Sequence, residues 1–133
     1  MYLIIIGAGT VTKHLISVAK EQNHKVAVIE KEADRARKIM QEFDISIFHA
    51  DLTKGKILEE ADVNNADAII ATTKDDALNL MAMVLGKEYG VKHLITLLQE
   101  KDNQAMFEKL GIQVLSDPEK LIAQKLYSFI EEE

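Results

Sequence analysis

The residues with most chemical content stand at the first turn of the chain, where Gly7-Ala8-Gly9-Thr10-Val11-Thr12 follows an apolar run and opens an amphipathic one. A glycine loop in that position brings backbone N–H groups against an anion. Gly7 allows the tight turn, and Gly9 leaves no side chain between the backbone and a pyrophosphate. The amides at the helix start, those of Thr10 and Val11 among them, face the charge. In the full fingerprint a third glycine or alanine lets the helix lie close to the strand. Thr12 holds that place here, so either the helix shifts outward or the hydroxyl finds a partner. Taken alone, the glycine pattern is also compatible with a plain strand-to-helix turn.

Glu30 adds the second half of the pattern. It ends the next apolar run, near the ~20-residue separation at which a carboxylate accepts hydrogen bonds from an adenosine ribose. A carboxylate there repels a 2′-phosphate, which favours NAD, NADH, ATP, ADP or AMP over NADP, although the neighbouring Lys31 tempers that preference. The alternative is a solvated residue at a strand end. After the third run, His49-Ala50-Asp51-Leu52-Thr53 places Asp51 either toward an adenine amino group or as the cap of a helix beginning near Lys54. After the fourth, Thr72-Thr73-Lys74-Asp75-Asp76 leads into a helix carrying Asn79, which sets hydroxyls and an amide near the far half of a dinucleotide. Capping accounts equally well for Thr73 and Asp75.

Catalytic and metal chemistry find little support. His14, His24, His49 and His93 fall in different segments, without the close spacing of a metal pair. No Ser-His-Asp set or nucleophile elbow occurs. Met40, Met81, Met83 and Met106 lie on helical faces and read as ordinary core fillers, and no substrate domain follows to position a hydride acceptor. There is no cysteine, which fits a reducing, cytoplasmic compartment. A net charge of -6 argues against binding bulk nucleic acid, which needs a basic face. The apolar start, Met1 to Ile6, is cut off at Gly7, far short of the roughly 20 residues that span a bilayer. Any work at a membrane would go through a partner.

The elements that must position these residues follow from the pattern. Six short runs rich in Ile and Val read as strands: Tyr2 to Ile6, Val26 to Glu30, Ile45 to His49, Ala68 to Ala71, His93 to Leu98 and Gln113 to Leu115. Between and after them, residues 10–23, 33–43, 54–61, 75–89, 102–110 and 119–130 carry apolar residues at helical spacing. Gly90 and Gly111 follow two helices as C-terminal caps, and Pro118 opens the last. The 133 residues suit one domain with one core. Alternating strands and helices predict an α/β fold of Rossmann type, a doubly wound parallel six-stranded sheet of order 3-2-1-4-5-6 with helices on both faces. Its ligand site lies at the carboxyl ends of the strands.

In that order the motifs resemble the N-terminal domain of Trk-type potassium-uptake regulators, the TrkA-like RCK or KTN domains, over essentially the whole chain. The resemblance rests on Gly7/Gly9, Glu30, Ala50-Asp51-Leu52-Thr53, Thr72-Thr73 with Asn79-Leu80, Leu110-Gly111-Ile112 and Ser116-Asp117-Pro118-Glu119. It implies a non-enzymatic regulatory domain that binds NAD(H) or an adenine nucleotide. Such a domain forms homodimers and larger rings on a multi-span potassium translocator or channel, and gates it through ring geometry. Gly7, Gly9, Glu30, Asp51, Thr72 and Asn79 would line the pocket. The helix at about 119–130 would cross to a neighbouring protomer, although its apolar positions could equally pack on the chain's own sheet. Two departures stand out: Thr12 where the family usually has glycine, and Leu97 where many members carry an arginine that meets phosphate. Family members usually continue into a small C-terminal ligand domain, so the chain reads as a piece of a longer regulator or as a stand-alone subunit. Two other functions remain open: the cofactor half of an NAD-dependent oxidoreductase, and a degenerate Rossmann module that serves only assembly.

Overall fold

The computed structural model describes residues 1–132. Strands β1 (Tyr2–Ile6), β2 (Lys25–Glu30), β3 (Ser46–His49), β4 (Ala68–Ala71), β5 (His93–Leu98) and β6 (Gln113–Ser116) alternate with helices α1 (Thr10–Glu21), α2 (Ala33–Glu42), α3 (Ile57–Glu60), α4 (Asp76–Glu88), α5 (Gln104–Lys109) and α6 (Pro118–Glu131). The strands form one sheet of order β3-β2-β1-β4-β5-β6, with every neighbouring pair parallel. This is the predicted Rossmann-type topology, and it puts the chain reversal between β1 and β4, where such sheets open a crevice.

The central strand explains why its sequence is a continuous apolar run. Successive side chains of a strand point to opposite faces, so Ile4 and Ile6 enter one core while Ile5 enters the other. All three are 2% exposed or less. On the first face they meet Leu58, Met83 and Phe107 from α3, α4 and α5; of the four methionines expected in the core Met83 alone is buried, since Met40, Met81 and Met106 sit on the solvent sides of their helices at 38–61% exposure. On the second, Ile5 and Val28 meet Ile16 and Ala19 of α1 and Ile39 of α2. Helix α4 presses hardest on the sheet. A Cβ at Gly86 would lie 2.7 Å from Leu94 Cδ2 and 2.8 Å from Ile69 Cδ1.

Three helices differ from their sequence-based outlines. The predicted helix over 54–61 is a single α-turn followed by a 3-10 turn, Val63–Asn65, with Asp62 left-handed between them (φ 61°). Gly55, a poor helix former, stands near its start. The predicted helix over 102–110 begins as a 3-10 turn, Lys101–Asn103, before α5. The third difference concerns packing: no residue of α6 is buried, and Ile122, Leu126 and Ile130 are 61–64% exposed. The alternative that α6 packs on its own sheet is therefore corrected. Asp117, left-handed at φ 48° ahead of Pro118, turns the chain away from β6. The β5–β6 face that carries Leu97 and Leu115 stays without a helix over it.

Candidate functional site

The loops after β1, β2, β3, β4 and β5, with the first turn of α6, enclose a cleft of about 900 Å³ at the carboxyl end of the sheet. That is the upper end of the volumes usual for small-molecule sites. The glycine loop lies at its middle. Gly7 is held by its N–H donating to Ile29 O at 3.0 Å, and its φ of +104° belongs to a region that side-chain-bearing residues rarely enter. A Cβ there would stand 2.9 Å from Thr72 Oγ1 and 3.0 Å from Thr73 Cγ2. Gly7 is thus required twice, by its conformation and by the approach of the β4 loop. Gly9 has an ordinary extended backbone, and a Cβ placed on it meets nothing within 4 Å. No side chain caps α1, and the amides of Gly9, Thr10 and Val11 have no partner among the described residues. Thr10 and Val11 are exposed on the cleft rim. These are the unsatisfied donors of a helix start, aimed at open space.

The Thr12 hydroxyl does find a partner. It is fully buried and donates to Gly7 O at 2.6 Å, with Thr72 Oγ1 at 2.9 Å. The one proton of Thr72 then serves either Thr12 Oγ1 or Ile6 O, 3.1 Å away. Thr12 therefore ties the glycine loop to the β4 loop, where a glycine would only leave room.

Glu30 is 6% exposed. Its Oε1 accepts from Ala8 N and its Oε2 from Glu32 N, each at 2.9 Å. The carboxylate thus braces both the glycine loop and the start of α2, and each oxygen keeps lone-pair capacity for a ribose hydroxyl. Lys31 follows on the rim, where Glu32 and Arg35 pair at 3.1 Å. Asp51 and Leu52 line the far end of the β2–β3 side. Asp51 Oδ1 accepts from both the amide (2.9 Å) and the hydroxyl (2.7 Å) of Thr53, so it closes a local turn and does not cap a helix at Lys54. The Thr53 hydroxyl, then its amide, hold the Asp51 carboxyl below the usual aspartate value, with smaller help from Lys54 and Lys31.

On the β4–β5 side, Thr72 and Thr73 line the cleft and Asn79 does not. Asn79 is fully buried. Its Nδ2 donates to Thr73 O (2.9 Å) and Leu97 O (3.1 Å), and its Oδ1 accepts from Thr73 Oγ1 at 2.6 Å. Both of its N–H donors and one lone pair of its oxygen are taken by the loop after β4 and by β5, so it shapes the wall from behind. Asp75 caps α4 by accepting from Ala77 N and Leu78 N. The Asp76 carboxylate holds Gln99 N and Glu100 N. The first turn of α4 thus locks this half of the cleft.

Arg35, Leu78 and Leu115 line the cleft without a sequence signal, and they converge with Lys74, Leu97 and Leu121 only through the crossovers. Leu78, Leu97, Leu115 and Leu121 form an apolar wall beside the polar glycine loop. No histidine lines the cleft, and no group of three His, Asp or Glu among the described residues could hold a metal ion. The arrangement can bind an anion and a sugar; it offers no nucleophile with an adjacent base.

Comparison with known proteins agrees with this geometry. The TrkA-N domain model matches residues 3–118. A Trk system potassium uptake protein TrkA homolog from Methanothermobacter thermautotrophicus is 32% identical over 130 residues; the match covers 98% of the chain and 60% of that relative's length. The TrkA-N domain of the Escherichia coli inner membrane protein YbaL superposes with a TM-score of 0.83 at 17% identity, over 96% of this chain and 95% of that one. The GsuK channel bound to NAD superposes at 0.76 and 21% identity, over 86% of this chain and 21% of that one. GsuK is also known bound to ADP.

Proposed function

The chain belongs to the TrkA-N domain family, and from that premise we propose that it is a nucleotide-sensing regulatory domain of a potassium uptake or channel system. It binds NAD(H) or an adenine nucleotide in the cleft described above and performs no turnover. The observation that carries the reading is the row of unpartnered amides at Gly9, Thr10 and Val11, residues that line the same cleft as the Glu30 carboxylate. A pyrophosphate accepts from the amides and ribose hydroxyls donate to Glu30. Asp51 and Leu52 border the adenosine end, while Thr72 and Thr73 border the other half.

No helix among the described residues is long and apolar enough to cross a membrane; in this reading, control of ion flow passes through a membrane-spanning partner met on the cytoplasmic side. Helix α6 supplies the contact between protomers. Leu121, Ile122, Leu126, Phe129 and Ile130 are 43–64% exposed along it, and the uncovered β5–β6 face lies beside its start. The mechanism is linkage. A nucleotide that binds one assembly geometry more tightly shifts the population toward it, by no more than that difference in affinity.

Calorimetric titration with NADH, NAD, NADPH, ATP, ADP and AMP tests the reading. Micromolar or tighter binding to one of them, lost in Gly9→Val, supports it. Glu30→Ala is the less clean variant, because it also removes the braces on Ala8 and Glu32. Absence of binding to all six favours a module that serves assembly alone. That second reading draws on two observations: both Glu30 oxygens already accept backbone N–H groups, and Leu97 brings no charge to the cleft.

A further inference from the structure

The cleft is poor in positive charge for a site that takes phosphates. Five carboxylates line it (Glu30, Glu32, Asp51, Asp75, Glu119) against three cations (Lys31, Arg35, Lys74). Two of the cations stand on the β2 side, where Arg35 pairs with Glu32 and Lys31 lines the cleft next to Glu30 and Glu32. Lys74 stands on the opposite side, in the loop after β4. It forms no ion pair among the described residues, and the neighbouring Asp75 carboxylate is occupied by the amides of Ala77 and Leu78.

Its backbone is anchored against the anion loop. Thr73 N lies 3.5 Å from where a Cβ of Gly7 would stand, and Thr73 itself is fixed by Asn79. Lys74 therefore springs from a rigid point one residue from the contact between the β1 and β4 loops. Its flexible four-carbon stem ends in a point charge that can follow a phosphate. Leu97, on the neighbouring strand, lines the cleft and brings no charge to it.

We propose that Lys74 is the phosphate-binding cation of this cleft and that it sets the preference for phosphorylated over unphosphorylated adenosine ligands. The inference rests on the nucleotide reading and extends it to a residue on the β4 side. Lys74 neutralises charge at the helix start, where the free amides bind the oxygens; Glu30 reads the sugar. An exposed lysine on a loop contributes little to folding, so its removal isolates the charge.

The test is titration of the 133-residue chain, wild type, K74M and K74R, with NADH, ATP and adenosine at about 0.05 M and 0.5 M salt. K74M should weaken NADH and ATP about tenfold at low salt, leave adenosine unchanged, and differ less from wild type at high salt. K74R should retain most of the affinity. If wild type binds NADH or ATP and K74M binds them equally well, or loses adenosine in the same proportion, the assignment of Lys74 is overturned while the nucleotide site stands. If wild type binds none of these three ligands, nor NAD, NADPH, ADP or AMP, the nucleotide reading falls and this inference falls with it.

Discussion

Substitution of Gly9 separates ligand binding from folding more cleanly than any other change in the cleft. Its φ of −87° and ψ of −166° suit any residue, and the position of its missing Cβ touches nothing within 4 Å. Gly9→Ala should shift stability by no more than about 1 kcal/mol: the unfolded chain loses freedom, which stabilises by roughly 0.4–1 kcal/mol, and roughly 0.5–1.5 kcal/mol is lost at the helix N-cap, where glycine is preferred over alanine. The ligand feels the change directly. A phosphate oxygen bonded to the helix amides sits about 2.9 Å from nitrogen, whereas a new carbon needs roughly 3.5–4.0 Å from its neighbours. The anion must retreat and lose at least one charge-assisted hydrogen bond, worth about 1.5–3 kcal/mol, or roughly ten- to 150-fold in affinity. Gly9→Val, with two further methyl groups, should lie at the upper end. Calorimetry measures the affinity, and thermal melts with and without NADH measure both effects together. The variant melts within about 5 °C of wild type without ligand and gains less from NADH. Wild-type affinity in Gly9→Val would place any nucleotide away from the glycine loop; an unfolded Gly9→Ala would show that the space beyond Gly9 is not open.

The other glycine of the loop behaves oppositely. Gly7→Ala must hold a side chain at φ +104° with its Cβ 2.9 Å from Thr72 Oγ1, so it should lose about 2 kcal/mol or more in urea unfolding; wild-type stability would refute the close approach of the β4 loop. Asn79→Leu takes the side-chain donor from Thr73 O and Leu97 O, the latter keeping Thr96 Oγ1 at 2.8 Å, and leaves the Thr73 hydroxyl only Asp75 O at 3.2 Å; it should cost about 2 kcal/mol. A loss below about 1 kcal/mol would deny Asn79 its bracing role. The Asp51 carboxyl is held low chiefly by Thr53, so its folded state favours the carboxylate. Any stabilisation from it is present above the ordinary aspartate range and is lost as pH falls through the depressed value. A carboxyl titration followed by NMR should give a midpoint below 3.8 that moves up in Thr53→Val; an unmoved midpoint would assign the shift elsewhere.

The strand order and the position of the cleft were legible in the sequence because their causes are local and periodic. A central parallel strand, covered on both faces, shows itself as an unbroken apolar run such as Leu3-Ile4-Ile5-Ile6. A glycine loop that must turn between strand and helix needs its glycines at that point whatever surrounds it. Glu30 was visible for the same reason, as an acidic residue at a strand end. The directions of polar side chains were not. Asn79 and Thr73 occupy a helix start that reads equally as binding surface or as scaffold, and the answer lies in Leu97 O, a partner 18 residues away in the sequence.

The sequence by itself determined the Rossmann topology, the glycine turn after β1 and the family, since short-range pattern suffices for each. Tertiary structure alone decided that the Thr12 hydroxyl bonds Gly7 O and meets Thr72, that Glu30 braces two loops, that Asn79 stands behind the cleft wall, and that α6 lies off its own sheet. It also brought Lys74, Leu97 and Leu115 to one cleft. The physical reason is that hydrogen-bond geometry and burial depend on partners that parallel crossovers bring together from distant segments, and no local period encodes those pairings.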